Sequence, residues 1–189
     1  MLSKNSELLI KNINLNPSRI GILKILKKMN ANIKILNKKN YRGEFIGNIK
    51  IKSTKNFKSI NCPSSLNSSA IDEFLLIFLV AAKSKGVSKF KNLDELNKKE
   101  SPRLNIAIDF LRMIGVKIKR VENDITIFGN PKLDPGGKYH IKKFLKDHRV
   151  FMSSVIAALS FGGYWQIHNK NSILTSFPNF LKIIKELRK

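Results

Sequence analysis

Cysteine is nearly absent from this sequence: Cys62 stands alone among 189 residues. One thiol excludes an intrachain disulfide, a Cys-based zinc cluster and a CxxC redox pair. Long hydrophobic runs are missing as well. The longest, Phe74 to Ala82, has nine residues, about half of the ~20 needed to cross a bilayer. The opening Met-Leu-Ser-Lys-Asn-Ser-Glu has no apolar stretch and no small-residue cleavage site. No membrane span and no secretory signal are therefore expected, and the expected location is cytoplasmic. There is no glycine-rich phosphate loop of the Walker or dinucleotide type, and no His, Asp and Glu set has metal-ligand spacing. No metal and no cofactor is expected.

Acidic residues are scarce too. The chain carries 13 Asp+Glu against 36 Lys+Arg, a formal charge of +23. Such an excess is the electrostatic footprint of nucleic-acid binding. Yet 29 of those cations are Lys and only 7 are Arg, and Lys, Ile and Asn together supply 74 of the 189 residues. Specific base and phosphate recognition favours the planar fork of Arg. The lysines are spread over every segment in runs of no more than two. A compositional bias toward Lys, Ile and Asn accounts for this without a nucleic-acid function. Non-specific attraction to polyanions stays open as the physical alternative.

What is present is a repeat in an otherwise ordinary globular composition, 42% hydrophobic and 26% charged. Ala81-Ala82-Lys83-Ser84-Lys85-Gly86 and Ala157-Ala158-Leu159-Ser160-Phe161-Gly162 both read A-A-x-S-x-G, 76 residues apart. Each ends an apolar helix-like run and precedes a strand-like stretch, Val87 to Leu93 and Gly163 to His168. The glycines fit helix ends where a left-handed residue is needed. At an offset of 85, Ile22, Leu23, Ile25, Leu26, Met29 and Ile33 pair with Ala107, Ile108, Phe110, Leu111, Ile114 and Ile118. That is the spacing of one face of an amphipathic helix. Alternating strands follow each helix: Asn32 to Leu36 and Asn48 to Ser53, then Val116 to Val121 and Asp124 to Phe128. The period is about 80 residues and predicts strand, helix, strand, helix, strand, strand. A full copy runs from Ser59 to Gly129, with half copies before it (Glu7 to Ser53) and after it (Lys138 to Lys189). Strands alternating with helices give an α/β arrangement with helices packed on sheets. Trp165 and the phenylalanines fall within the apolar repeats and are expected in the core.

Polar residues interrupt the repeats in three places, and chemistry belongs there. In Ser69-Ala70-Ile71-Asp72-Glu73-Phe74, two carboxylates open an apolar helix. A macrodipole preference explains them as well as a site does. Lys98-Lys99-Glu100-Ser101-Pro102-Arg103 places three charges around a helix start, with Pro102 suited to the first turn and Ser101 to the cap; a solvated helix end has the same spacing. Lys146-Asp147-His148-Arg149 opens the run Val150 to Leu159. An Arg there opposes the helix dipole and is better explained if it points at an anion.

In combination these clusters resemble a known family. The order I-D-E, K-E-S-x-R, D-H-R before an apolar helix, and S-F-P-x-F is similar to 5-enolpyruvylshikimate-3-phosphate synthases, the 3-phosphoshikimate 1-carboxyvinyltransferases of aromatic amino-acid biosynthesis. Leu15-Asn16-Pro17-Ser18-Arg19-Ile20-Gly21 looks like the family's L-N-P-T-R-x-G, and Gly43-Glu44-Phe45-Ile46-Gly47-Asn48-Ile49 like its G-E-P-x-x-D-I. The likeness runs in order from about Glu7 to the end. It departs from the family pattern at Pro102, Lys146, Phe74-Leu75 and Thr175. The resemblance implies an α/β fold of repeated βαβαββ units, one half of an inside-out α/β barrel with helices packed inside sheets. It implies that residues 1–189 are a single, partial C-terminal domain, with units at about 7–58, 59–129 and 130–189. The second domain, which would complete the cleft, is absent from this chain, so the chain alone is expected to be inactive.

The resemblance also implies the chemistry: the enolpyruvyl group of phosphoenolpyruvate moves to the 5-hydroxyl of shikimate 3-phosphate, and phosphate leaves. By the same likeness Asp72 orients and deprotonates the hydroxyl, Glu100 is the acid and base near the methylene carbon, and Lys99 is the ammonium beside it. Arg103 and Arg149 clamp phosphoenolpyruvate, His148 accompanies them, and Asp147 orients the group. The partners implied are the two substrates and the enzyme's N-terminal domain, with no membrane and no specific nucleic acid. Two rival readings are an enolpyruvyl transferase acting on a UDP-sugar and a non-catalytic basic nucleic-acid-binding module. The module leaves Asp72, Lys99, Glu100, Arg103, His148 and Arg149 unexplained.

Overall fold

One chain path is drawn twice in the computed structural model, which describes residues 1–3, 5–142 and 146–187. First β1 (Glu7–Asn14) leads through α1 (Gly21–Lys28) into the hairpin β2 (Ile33–Tyr41) and β3 (Glu44–Lys52). Then β4 (Gly86–Phe90) leads through α3 (Arg103–Met113), the helix after α2 (Phe74–Ala82), into β5 (Lys117–Val121) and β6 (Asp124–Gly129). The sheet orders are β1-β3-β2 and β4-β6-β5, with the last strand central and antiparallel to both neighbours. The first hairpin closes on Arg42 (φ 51°) and Gly43 (φ 85°). Two successive positive φ values give the primed turn whose twist matches paired strands.

The other half of the repeat is a parallel crossover. Residues 57–62 run beside β4, with Lys85 N–H donating to Phe57 O at 2.9 Å and Lys89 N–H to Ile60 O at 2.8 Å. Likewise β7 (Lys138–Ile141) runs parallel to β8 (Tyr164–Ile167), joined through α4 (His148–Phe161). Helix α5 (Phe180–Glu186) follows. Residues 143–145, between β7 and α4, and residues 188–189, which end the third predicted unit, lie outside the described residues.

Helix α2 is apolar on every side, and eight of its nine residues are buried. A helix of that kind belongs in the middle. It packs against α1, α3, α4 and β6, so helices fill the inside and sheets cover them, as expected. Phe74, Phe78 and Phe90 meet there at centroid distances of 5.0 to 6.1 Å. Burial pushes the Cys62 thiol up to about 11, which makes it a core side chain rather than a nucleophile.

Several details differ from the sequence-based expectation. Helix α2 stops at Ala82, and its last carbonyls are met without glycine: Ser84 donates both its N–H and its hydroxyl to Ala81 O. Gly86 (φ 103°) instead opens β4, and Gly162 ends α4 with φ 71° but an extended ψ of −172°. Strands β2 and β3 are longer than their apolar pattern, because bulges at 36–39 and 10–13 carry the ladder through polar residues. Not every aromatic is core. Phe45 and Phe177 are 45% and 41% exposed, with Lys38 Nζ held 4.0 Å above the Phe45 ring. Trp165 is partly buried, stacked on Phe110, and its indole N–H donates to Gly162 O at 2.6 Å.

Candidate functional site

Four helix starts meet at one end of the molecule. Arg19 lies two residues ahead of α1, Asp72 and Glu73 immediately precede α2, Arg103 is the first residue of α3, and Asp147 is the N-cap of α4. The starts of α1 and α2 are brought together by glycine. A Cβ on Gly21 would stand 2.3 Å from Ser69 Oγ and 2.6 Å from the Ser69 carbonyl carbon, so no side chain fits. Each helix start carries a partial positive charge. Four of them converging make an anion-seeking face.

Arg103 is the hub. Only 1% exposed, it donates Nε to Asp147 Oδ2 (2.8 Å) and Nη1 to Asp72 Oδ1 (3.0 Å), while Nη2 is ion-paired with Glu100. Burial pushes its guanidinium down, but the Asp147 and Asp72 carboxylates outweigh this and hold it above its ordinary value. Asp147 works on two elements at once. Its Oδ1 accepts from Arg149 N–H (2.9 Å) and Val150 N–H (3.4 Å), capping α4, and its Oδ2 accepts from Arg103 and from Ser101 Oγ (2.7 Å). Burial would raise this carboxyl; the Arg103 and Ser101 hydrogen bonds prevail and hold it below the usual carboxylate range.

Arg149 is more open, with its side chain 31% exposed. Its Nη2 stands 3.2 Å from Asp72 Oδ2, and its Nη1 donates to Glu73 Oε1 and to the Asp72 carbonyl, both at 3.3 Å. Asp72 therefore faces three guanidinium groups, the third being Arg19 at 3.9 Å. Burial pushes the Glu73 carboxyl up, and Arg149 only partly offsets it. Glu100 is 61% exposed. Lys99 and His148 are half-buried beside it and at the start of α4, and among the described residues Lys99 has no ion-pair partner.

The three predicted clusters thus meet. Three of their local readings change. Ser101 does not cap α3: Pro102 takes the cap position with φ −72° and ψ 72°, and the Ser101 hydroxyl binds Asp147 instead. Asp72 and Glu73 lie ahead of α2 rather than within it, and Arg149, in place of a free anion, holds those two carboxylates. Sequence reasoning left Arg19 and Glu73 out of the candidate site. A signal was available: three of the seven arginines sit within two residues of a helix start, where a cation is disfavoured. Four of only 13 acidic residues also fall here, and among the described residues their ion pairs are with arginines, while the lysine ion pairs form elsewhere, at Glu7, Asp94 and Glu95. The general lysine excess does not explain this cluster.

A family model described as EPSP synthase (3-phosphoshikimate 1-carboxyvinyltransferase) matches residues 1–184. Relatives named 3-phosphoshikimate 1-carboxyvinyltransferase from Thermodesulfovibrio yellowstonii and Petrotoga mobilis are 36% and 35% identical over 188 residues, which is 100% of this chain and 43% of each relative. A solved EPSP synthase from Acinetobacter baumannii matches with a TM-score of 0.89 at 30% identity, over 98% of this chain and 42% of that one. The enolpyruvyl transferase NikO from Streptomyces tendae, at 11% identity and a TM-score of 0.65, shares the fold. The chain spans about two fifths of the length of the curated relatives it matches. With its repeated α/β units, its meeting helix starts and a family match along nearly its whole length, this chain belongs to the EPSP synthase family.

Proposed function

We propose that this chain forms one wall of an enolpyruvyl transferase site that moves the enolpyruvyl group of phosphoenolpyruvate to the 5-hydroxyl of shikimate 3-phosphate and releases phosphate. One observation carries the reading. Arg103 and Arg149, from two different helices, are both fixed on Asp72, so a carboxylate base and two anion-binding guanidinium groups share one place. The reaction adds the hydroxyl to the central carbon of phosphoenolpyruvate while a proton joins its methylene carbon. Phosphate then leaves as a proton is withdrawn from the new methyl group. A base, an acid near the methylene and fixed cations meet those needs. No electron transfer occurs, so the chemistry calls for no redox cofactor.

Asp72, faced by its three arginines, takes the hydroxyl proton. Glu100, on the exposed side of Arg103, delivers and later removes the methylene proton, with Lys99 beside it. Arg149 holds an oxyanion of phosphoenolpyruvate, its carboxylate or its phosphate, and Arg103 joins it through Nη2 once the exposed Glu100 releases that nitrogen, since a guanidinium's paired donors suit planar oxyanions. His148 adds a donor at the same helix start, and Asp147 is a positioning residue for Arg103 and α4. The shikimate ring and the other wall of the cleft belong to the rest of the enzyme, read as its second domain. Neither a membrane nor a specific nucleic acid enters the scheme, which runs in the cytoplasm.

The test is reconstitution. The purified chain, a separately produced remainder of the enzyme and their mixture are assayed for phosphate release and for the enolpyruvyl ether by NMR. Product is expected from the mixture alone. An associated mixture that forms no product overturns the reading, as does transfer to a UDP-sugar in place of shikimate 3-phosphate.

A further inference from the structure

Enolpyruvyl transfer as read above gives Glu73 no task, yet its carboxylate occupies Arg149. Two grades of contact exist in the cluster. Arg103 and Asp147 are sealed, with side chains 1% and 0% exposed. Arg149 and Glu73 are 31% and 27% exposed, and their contact is a single one, Nη1 to Oε1 at 3.3 Å. Solvent reaches that contact, and so does any anion that approaches Arg149.

We propose that Glu73 is the exchangeable counter-ion of Arg149: an arriving phosphate or carboxylate takes its place on Nη1, and the displaced Glu73 carboxylate takes up a proton from solvent. The inference rests on Arg149 being an anion ligand. Glu73 is faced by Asp72 from its own segment, by Arg149 from α4 and by Arg19 from the loop before α1; Arg103 of α3 bonds to Asp72, not to Glu73. Burial raises the Glu73 carboxyl and Asp72 raises it further, while Arg149 and, last in size, Arg19 oppose them. Giving Arg149 to another anion removes the larger of the two opposing cations and adds a negative charge. Both changes favour the neutral acid. One proton moves from buffer to the carboxylate, and no substrate bond breaks. Glu73 is a positioning residue in this scheme, one that keeps the guanidinium aimed until the substrate arrives.

Calorimetric titration of the 189-residue chain with sodium sulfate at mildly acidic pH, in two buffers of different ionisation enthalpy, reads the exchange directly. Sulfate keeps its double charge across that range and contributes no protons of its own. The wild-type chain is expected to take up protons on binding. Glu73→Gln is expected to lose that uptake and to bind sulfate about tenfold more tightly, since the competing charge is gone. Equal uptake by both forms, or weaker binding by Glu73→Gln, overturns the proposal. The titration of the Glu73 carboxyl carbon, followed by NMR in the unsubstituted chain, must move to higher pH when sulfate is added; no movement overturns it even if the variant fails to fold. Absence of sulfate binding by both forms also overturns the exchange, whereas the enolpyruvyl reading stands or falls separately on product formation in the reconstituted mixture.

Discussion

Lysines crowd the outer faces of the two three-stranded sheets: Lys89 and Lys119 flank Thr126 from both sides, and Lys34 is directly opposite Lys50, which shares the exposed Glu7 with Lys52. Like charges placed so cost a few tenths of a kcal/mol and are screened by salt. The arginines at the helix starts are held quite differently. Arg103 has a carboxylate on each of three nitrogens, and Arg149 has two carboxylates and a carbonyl. Both regions are basic by residue type. In one the charge is spread over water, and in the other it is fixed in direction by partners from distant parts of the chain. A site needs direction, and the number of cations does not provide it.

The sharpest break in this comparison is at Asp72, which three of the arginines share. In enzyme reconstituted with its remaining part, Asp72→Asn keeps the shape but removes the proposed base. It is expected to lower kcat by about 10²–10⁴-fold with a much smaller rise in KM for either substrate. A variant that instead raises KM and spares kcat would make Asp72 an arginine holder only.

Asp147→Ala comes next, read as stability. It removes the α4 cap and leaves Arg103 buried without its Nε partner. Breaking a buried pair from one side costs about 3–5 kcal/mol, and urea denaturation of the chain measures it. Asp147→Asn keeps an oxygen for the cap and should recover part of the loss. The pH dependence has a definite sign. The folded Asp147 carboxyl lies below its ordinary value, so its contribution is present above about pH 3.9 and is lost as pH falls through the lower folded value. The gap between wild type and Asp147→Asn should therefore close in acid. Glu73 has the opposite sign. Its raised carboxyl contributes stability below about pH 4.3 that is lost as pH rises through the folded value, so Glu73→Gln should remove that loss. Midpoints compared at pH 3 to 7 decide both.

How much of this could be read from the chain depends on the range of the interaction. The offset of 85 finds buried faces because burial is periodic: Ile25 and Leu26 on α1, Met29 at its end, and Leu111 and Ile114, the counterparts of Leu26 and Met29, are all 4% exposed or less. Helices, the succession of strands and the three polar clusters follow from such local patterns; the order of strands within each sheet does not. The contacts between clusters do not. Arg103 reaches Asp147 across 44 residues, and Arg149 reaches Glu73 across 76. Nothing local shows that Ser101 turns from its helix toward Asp147, or that Arg19 is drawn to Asp72 by a glycine that lets two helix starts touch. The family resemblance supplied residue roles; the pairing among those residues came only from the fold.

Arg149→Lys sharpens the comparison by turning a fixed guanidinium into the kind of cation found on the sheets. The charge stays, while the fork that reaches Asp72, Glu73 and an incoming oxyanion is lost. A hydrogen bond to a charged group is worth about 1.5–3 kcal/mol. The reconstituted enzyme should therefore show KM for phosphoenolpyruvate raised about tenfold or more, with shikimate 3-phosphate little affected. An equal loss for both substrates would place Arg149 in the scaffold instead of on one ligand.

The smallest expected effect is the control that gives the others meaning. Lys27 and Lys28 are exposed in the last turn of α1, at the opposite end of that helix from Arg19 and Gly21. Their charges favour the helix C-terminus by about 0.3–1 kcal/mol each at low salt, so Lys27→Ala with Lys28→Ala should lower stability slightly and less so as salt is added. A charge a whole helix away is attenuated by salt over about 10 Å, and neither lysine meets a carboxylate of the cluster. Phosphoenolpyruvate KM should stay unchanged in physiological salt. If the double substitution weakened phosphoenolpyruvate as much as Arg149→Lys does, the anion would be held by diffuse positive charge, and the contrast between placed arginines and scattered lysines would fail.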